Sequence, residues 1–280
     1  MRLVPNAAST PTPLIILAPA EGEVPDSFLQ IEEDPELHET LLAEMQTLRG
    51  ARYLKDGAIN PQQISADGRH RLAVDENSWH LLALNKDGTV CGGARCRKTS
   101  NRIAFSELGV GASSLAQSDV WGRRLRAAVE SDLELARRKD VAYIEFGGWA
   151  VAEEFCCTTE ALRIALGAYS LSRNLGGCVG ISAATRRHHS STILRRIGGR
   201  PLTADGVELP PYYDPQYACE MEILRFESEF PNPRYEVWIE EIRAHLLTAP
   251  VVRCKHSSVK RRRALEPINV AWSEHTSVSQ

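Results

Sequence analysis

The stretch Val141-Ala142-Tyr143-Ile144-Glu145-Phe146-Gly147-Gly148-Trp149-Ala150-Val151 decides how this chain is read. It is the most apolar strand candidate in the sequence, and its length implies burial on both faces. Glu145 interrupts it. A carboxylate in an apolar strand is costly without partners, and burial raises its affinity for protons, which suits a proton acceptor near neutral pH. The structural alternative is an ion pair with an arginine. Gly147 and Gly148 weaken the strand and mark a bulge or a close backbone approach. Such a break opens the sheet and leaves backbone amides for a bound chain.

Outward from this strand, the pattern alternates. Upstream, Val120 to Lys139 carries Trp121, Leu125, Val129, Leu133 and Ala136 at helical spacing. Before it, residues 100 to 118 read as loop. Trp79 to Leu84 and Thr89 to Arg97 are extended runs joined by Asn85-Lys86-Asp87-Gly88, a hairpin signal. Asp34 to Arg49 repeats Leu37, Leu41, Leu42, Met45 and Leu48 as a helix. Downstream, Thr158 or Thr159 caps a helix that runs to Asn174, with Glu160 in its first turn. Cys178 to Ala184 reads as a strand, Ser190 to Ile197 as a short helix and Tyr217 to Phe226 as a last strand. Asn232 and Pro233 start a final helix. Strand–helix–strand units beside a hairpin imply an α/β fold, a mixed sheet with helices on both faces. The expected domain plan is a poorly ordered lead-in over 1–27, one domain over 28–248 and a basic flexible tail over 249–280.

Composition narrows the function classes. The chain has 280 residues, of which 43% are apolar, enough for a core without disulfide staples. With 33 Lys and Arg against 36 Asp and Glu, a net charge of −3 excludes a generally basic nucleic-acid binder. The basic residues of the last stretch, Lys260 to Arg263 among them, read as a solubilising end. Seven cysteines without a C-x-x-C pair fit reduced cytoplasmic thiols rather than a disulfide framework. No apolar run is long enough to span a bilayer. Pro13 to Ala20 is too short and Pro-interrupted to serve as a signal peptide.

Three motifs together resemble a family. Asp75-Glu76-Asn77-Ser78-Trp79-His80-Leu81-Leu82-Ala83 looks like an acidic lead into a hairpin strand, and Gly92-Gly93-Ala94-Arg95 like the Gly-x-x-Arg that ends the next. Ile144 to Val151 looks like a fourth-strand segment with a glutamate followed four residues later by an aromatic. This layout is similar to the GCN5-related N-acyltransferase (GNAT) fold, and within it to acyl-homoserine-lactone synthases and N-acyl amino acid synthases. The resemblance implies catalytic roles for Glu145, Arg95 and Asp75. It also implies binding of the acyl donor, acyl-CoA or acyl carrier protein, at Gly147, Gly148, Trp149 and Val151, with no metal. Homoserine-lactone synthases carry an arginine three residues after that glutamate, where this chain has Gly148, and an acidic residue where it has Leu72. Both departures point away from S-adenosylmethionine and toward an amino acid or another amine. The Gly-x-Gly turn and the tyrosine acid of ordinary acetyl-CoA members are also missing, Leu194 standing near the tyrosine's place.

The remaining candidates have plain alternatives. Arg186, Arg187, Arg195, Arg196 and Arg200 form a basic cluster that would steer an acidic acyl carrier protein; the alternative is a solvated face. Trp149, Phe155 and Tyr169 would line an acyl channel or simply belong to the core. The start of the helix after Glu145 would receive a pyrophosphate, but Glu153 and Glu154 oppose one. Adjacent histidines, His188 and His189, point apart, and Cys156-Cys157 lacks an evident base. The expected function is N-acyl transfer from a carrier-protein or CoA thioester to a small amine. The alternatives are a short-chain acetyl-CoA-dependent N-acetyltransferase and a catalytically silent acyl-binding module.

Overall fold

The computed structural model describes residues 12–156 and 158–254. In chain order its elements are β1 (Leu14–Leu17), β2 (Gln30–Glu33), α1 (Pro35–Lys55), β3 (Trp79–Leu84), β4 (Val90–Thr99), α2 (Gly122–Lys139), β5 (Ala142–Val151), α3 (Thr159–Asn174), β6 (Cys178–Thr185) and α4 (Ser190–Ile197). They continue with β7 (Arg200–Pro201), β8 (Thr203–Ala204), β9 (Val207–Glu208), β10 (Tyr212–Asp214), β11 (Cys219–Glu227), α5 (Glu236–Thr248) and β12 (Pro250–Arg253). Local chemistry accounts for most boundaries. Asp34 caps α1 by accepting a hydrogen bond from Leu37 N, with Pro35 at the first helical position. Thr158 caps α3 in the same way through Glu160 N. Asn85 Oδ1 accepts from Asp87 N and Thr89 N and so closes the β3–β4 hairpin. The 100–118 loop holds two short 3-10 turns, Phe105–Glu107 and Gly109–Ala112.

Ten of the strands form one mixed sheet in the order β10-β11-β6-β5-β4-β3-β1-β12-β2, with β7 paired to β11, while β8 and β9 pair with each other apart from it. Helices α3 and α5 cover one face, packing Leu162, Leu166, Ile239 and Leu246 on Leu81, Ala94, Cys96 and Ile144. Helices α1 and α2 cover the other, α1 through Leu41, Leu42 and Met45, and α2 through Leu125, Val129 and Leu133. The fold is the α/β GNAT type.

Two expectations about the ends are corrected. Residues 14–17, expected in a poorly ordered lead-in, form β1, which pairs with β3 on one side and β12 on the other. Residues 250–253, expected in the tail, form β12. Apolar side chains explain both: Ile16, Leu17, Val251 and Val252 are all fully buried. Residues 1–11 and the basic run Lys260 to Arg263 lie outside the described residues, as does Cys157.

Strand β5 is also less enclosed than its sequence implies. From Glu145 to Trp149 it is only half-buried, because its neighbour leaves it. It pairs in parallel with β6 from Ala142↔Cys178 to Phe146↔Ser182, and no pair continues beyond that point. Both strands run on, so the sheet splits into a cleft there. On the other side, β5 stays paired with β4, with a register shift between Gly93↔Ala150 and Arg95↔Gly147. The extra residue lies at Gly148-Trp149, opposite Ala94, so the bulge expected from the glycine pair starts at its second glycine. Among the described helices none is long and apolar enough to cross a membrane.

Candidate active site at the split in the sheet

The split separates two chemically different compartments. On the α3 face lies an apolar pocket with about 440 Å³ of empty space, its mouth included. Phe146, Trp149, Tyr169, Leu194 and Phe226 are among its walls, and Arg95 and Gly147 line it at the split. The rings are fixed by edge-to-face contacts of Phe226 with Phe146 at 5.6 Å and with Tyr169 at 5.7 Å. Trp149 and Tyr169 therefore are pocket walls, whereas Phe155 packs against the core beneath.

On the α1 face a buried polar cluster stands beside the same bulge. Asp75 is 1% exposed and Arg49 0%. Arg49 grips the carboxylate with both ends of its guanidinium, Nη1 to Oδ1 at 3.1 Å and Nη2 to Oδ2 at 2.7 Å. Gln46 Nε2 and Leu72 N each donate to Oδ2 at 3.0 Å, and Arg95 Nη1 donates to Oδ1 at 3.1 Å. Burial opposes ionisation of Asp75, but the hydrogen bonds and charge of Arg49, then Arg95, prevail and hold its carboxyl well below the usual carboxylate range. Asp75 thus accepts five hydrogen bonds and anchors Arg49 and Arg95. The surrounding histidines are neutral: burial lowers both His70 and His80 to about 4. Burial raises Tyr53 to about 12 and also raises Tyr217.

Arg95 bridges the compartments. One guanidinium nitrogen is tied to Asp75, Nε has no partner, and Nη2 lies over Gly147, where a β-carbon would sit 3.2 Å from it. Gly148 has φ +62°, and a β-carbon there would meet Arg95 Cβ at 3.3 Å and Arg49 Nη1 at 3.4 Å. Glycine is required at this position by backbone and by space. The room that an arginine at 148 would need is filled by Arg49.

Glu145 lies on the same face as Arg95, one register step of roughly 7 Å along the strands. Its Oε2 accepts from Arg97 Nη1 at 2.6 Å and its Oε1 from Gly109 N at 2.7 Å. The arginine partner weighed for it in the sequence exists. It still keeps one lone pair on each oxygen and some exposure, which Asp75 does not. Val151 pairs with Gly92 beyond the bulge and is not part of the pocket wall, so its expected donor-binding role is not supported by its position.

The start of α3 already carries carboxylates. Glu160 accepts from Thr12 Oγ1 at 2.6 Å and from Arg163 Nη1 at 3.0 Å, and Glu153 pairs with Lys55. The basic cluster is largely occupied as well. Arg186 pairs with Glu220 and Arg195 with Glu222, while Arg187 donates to the carbonyls of Asp56 and Ala218. Arg196 and Arg200 have no ion pair among the described residues. Nor is any group of three or more His, Cys, Asp or Glu there placed to hold a metal ion. Cys156 receives a hydrogen bond from Arg52 at 3.4 Å.

Sequence reasoning missed Arg49, Gln46, Arg97 and the histidines. A signal for Arg49 was present: it recurs four residues after Met45 on the apolar stripe of α1, where an arginine needs an anion.

No protein-family model matches the chain, and neither does any curated protein. Solved structures do match. The acyl-homoserine lactone synthase BjaI, with SAM and isopentyl-CoA, superposes with a TM-score of 0.52 at 12% identity, covering 90% of this chain and 98% of BjaI. Weaker likenesses are the synthase MesI (TM-score 0.47, 15% identity, covering 87% and 100%) and the N-acyl amino acid synthase FeeM (0.41, 9%, 66% and 90%). The likeness to BjaI shows a shared fold across nearly the whole of both chains.

Proposed function

We propose that this chain is an N-acyltransferase that moves an acyl group from a CoA or acyl-carrier-protein thioester to the amine of an amino acid or a similar small molecule. The observation that carries this reading is the split between β5 and β6, with an apolar pocket on one face and, at the pocket's edge, Arg95 anchored by Asp75 on the other. The acyl chain enters the pocket, and the thioester carbonyl lies in the split, where backbone amides freed from strand pairing polarise it. Arg95, held by Asp75, presents its remaining donors to the acceptor's carboxylate. The amine nitrogen attacks the carbonyl carbon, the carbon–sulfur bond breaks with its electron pair going to sulfur, and the thiolate is then protonated by the proton that Glu145 has taken from the amine. Glu145 takes the amine proton through water, using the lone pairs that Arg97 and Gly109 leave open. Arg49 over Gly148 supports an acceptor other than S-adenosylmethionine. Glu160 in the α3 niche, with Glu153 and Glu154 nearby, favours a donor whose phosphates are held elsewhere, such as the pantetheine arm of a carrier protein.

The test combines purified protein, acyl-CoA and acyl-carrier-protein donors and the common amino acids, with thiol release and product mass as readouts. New N-acyl amino acids formed by the wild type and lost or slowed at least about 100-fold in Glu145→Gln, the lower end of the roughly 10²–10⁴ that a general base contributes, are the expected result. Arg95→Lys is expected to raise the acceptor KM. Thiol release that is indifferent to every amine, or absent with every donor, sinks the reading.

A further inference from the structure

We propose that Arg187 is a positioning residue of the acceptor compartment: it buckles the end of α1 to the turn between β10 and β11, and so holds Tyr217 beside Arg95, where its hydroxyl meets the acceptor's carboxylate. The inference rests on the acyl-transfer reading above and deepens it. It also takes Arg187 out of the basic cluster expected to steer a carrier protein.

The backbone makes this reach possible. Strand β6 stays paired with β11 up to Thr185↔Met221, and Arg186 N then donates to Glu220 O at 2.9 Å. Arg187 follows directly, where the chain leaves the sheet. Its Nη1 donates to the carbonyl of Asp56, the residue that caps the end of α1, and its Nη2 to Ala218 O at 2.7 Å. The rigid fork of a guanidinium spans both carbonyls, which a single ammonium does not. Gly57, at φ +63°, leaves room for it: a β-carbon there would sit 3.2 Å from Nη1. Both ends of the strap also hold left-handed backbone at residues other than glycine, His188 and His189 behind Arg187 and Ala218 in the turn. Such conformations persist only where the surrounding contacts enforce them.

Tyr217 stands in the strapped turn. Asp214 Oδ1 accepts from Gln216 N at 2.9 Å within it, and Ser114 Oγ donates to Tyr213 O at 2.7 Å. The hairpin is therefore tied on one side to α1 and on the other to the loop whose Gly109 N holds Glu145. Burial raises Tyr217, which keeps its hydroxyl a donor, and the charge of Arg95, then that of Arg49, acts against the rise. Tyr53, four residues after Arg49 on the same face of α1, feels the same two arginines. The Tyr217 hydroxyl has no hydrogen-bond partner among the described residues. A neutral phenol within the field of two cations, one of them with donors to spare, suits an anionic group.

The experiment takes the donor and acceptor that the activity screen identifies and measures kcat and the KM of each. Arg187→Ala is expected to raise the acceptor KM about tenfold and to leave the donor KM unchanged. Tyr217→Phe is expected to do the same, and the double variant no more than the larger single one, because the strap acts through that hydroxyl. Arg187→Lys keeps the charge but not the fork, so its acceptor KM is expected to lie between. A donor KM that rises in Arg187→Ala, more steeply at low salt, and returns to the wild-type value in Arg187→Lys makes Arg187 a docking residue and overturns the proposal. So does an unchanged acceptor KM, or losses in Arg187→Ala and Tyr217→Phe that add in full, which would leave Arg187 a stabilising cap on α1 and nothing more. Tyr217→Phe keeps the ring, so it carries the test alone if Arg187→Ala fails to fold, and an unchanged acceptor KM there overturns the proposal. If no donor is turned over, calorimetry with the common amino acids decides. An amino acid bound about tenfold more tightly by the wild type than by either variant drops acyl transfer and keeps the compartment. Binding of none overturns both.

Discussion

Replacing Asp75 with Asn keeps the side-chain shape and removes the charge that two arginines share. The wild-type carboxylate accepts five hydrogen bonds: two from Arg49 and one each from Arg95, Gln46 and Leu72 N. An asparagine accepts through one oxygen and turns its NH₂ toward an arginine. Arg49, 0% exposed, then has no counter-charge. Breaking a buried pair in this way costs about 3–5 kcal/mol. At roughly 2–4 °C per kcal/mol for a domain of this size class, the melting temperature is expected to fall by about 6–20 °C. Thermal denaturation followed by circular dichroism at pH 7 measures the shift, and urea denaturation the free energy. The Asp75 carboxyl is depressed in the folded state, so its contribution is present above the ordinary carboxylate range and is lost as pH falls through that range toward its lowered folded value. Asp75→Asn is therefore expected to flatten the acid limb of the stability curve as well. A second variant, Asp75→Leu with Arg49→Met, removes both charges and is expected to recover part of the loss. A loss below about 1 kcal/mol in Asp75→Asn, with the acid limb unchanged, refutes the account of Asp75 as an ionised anchor.

Three further outcomes follow from the same geometry. Gly148→Ala is expected to cost about 1–2 kcal/mol from its left-handed backbone alone, and Gly148→Arg is expected to unfold the site rather than create a S-adenosylmethionine acceptor; melting curves and product masses check both. His70 and His80 are held neutral at about 4 in the folded protein against 6.5 when unfolded, so the unfolded state binds more protons between those values. Stability is expected to fall as pH drops through that window, by up to roughly 1.4 kcal/mol per unit for each histidine, and His80→Asn should reduce the slope in urea titrations at pH 5 and 7. A chain beginning at residue 28 lacks β1 and is expected to be insoluble or to lose the cooperative melt, because Leu14, Ile16 and Leu17 leave a gap between β3 and β12.

The likeness of fold to BjaI and the carboxylates at the start of α3 bear differently on the donor. Fold alone does not choose between CoA and a carrier protein. Glu160, Glu153 and Glu154 do bear on it, because a pyrophosphate brought to that helix start would meet carboxylates already placed there. The arginines around α4 are a weaker guide, since Glu220 and Glu222 already pair with two of them.

Much of the fold was legible in the sequence because its causes are local. Helical spacing and caps placed α1 to α5, the Asn85–Gly88 turn placed the β3–β4 hairpin, and the glutamate before two glycines marked the bulge where the sheet opens. Burial on both faces was misjudged for β5, because a run of apolar residues does not reveal that β6 departs after Ser182. Strands β1 and β12 were missed for a related reason: four residues carry no periodicity, and their stability comes from each other at opposite ends of the chain. Only tertiary structure brought Arg49, Asp75 and Arg95 together, since a buried charge finds its counter-charge through space. It alone also set the apolar pocket and the polar cluster on opposite faces of one split, because which side a residue takes depends on pairing register, and register is decided by neighbouring strands rather than by the strand itself.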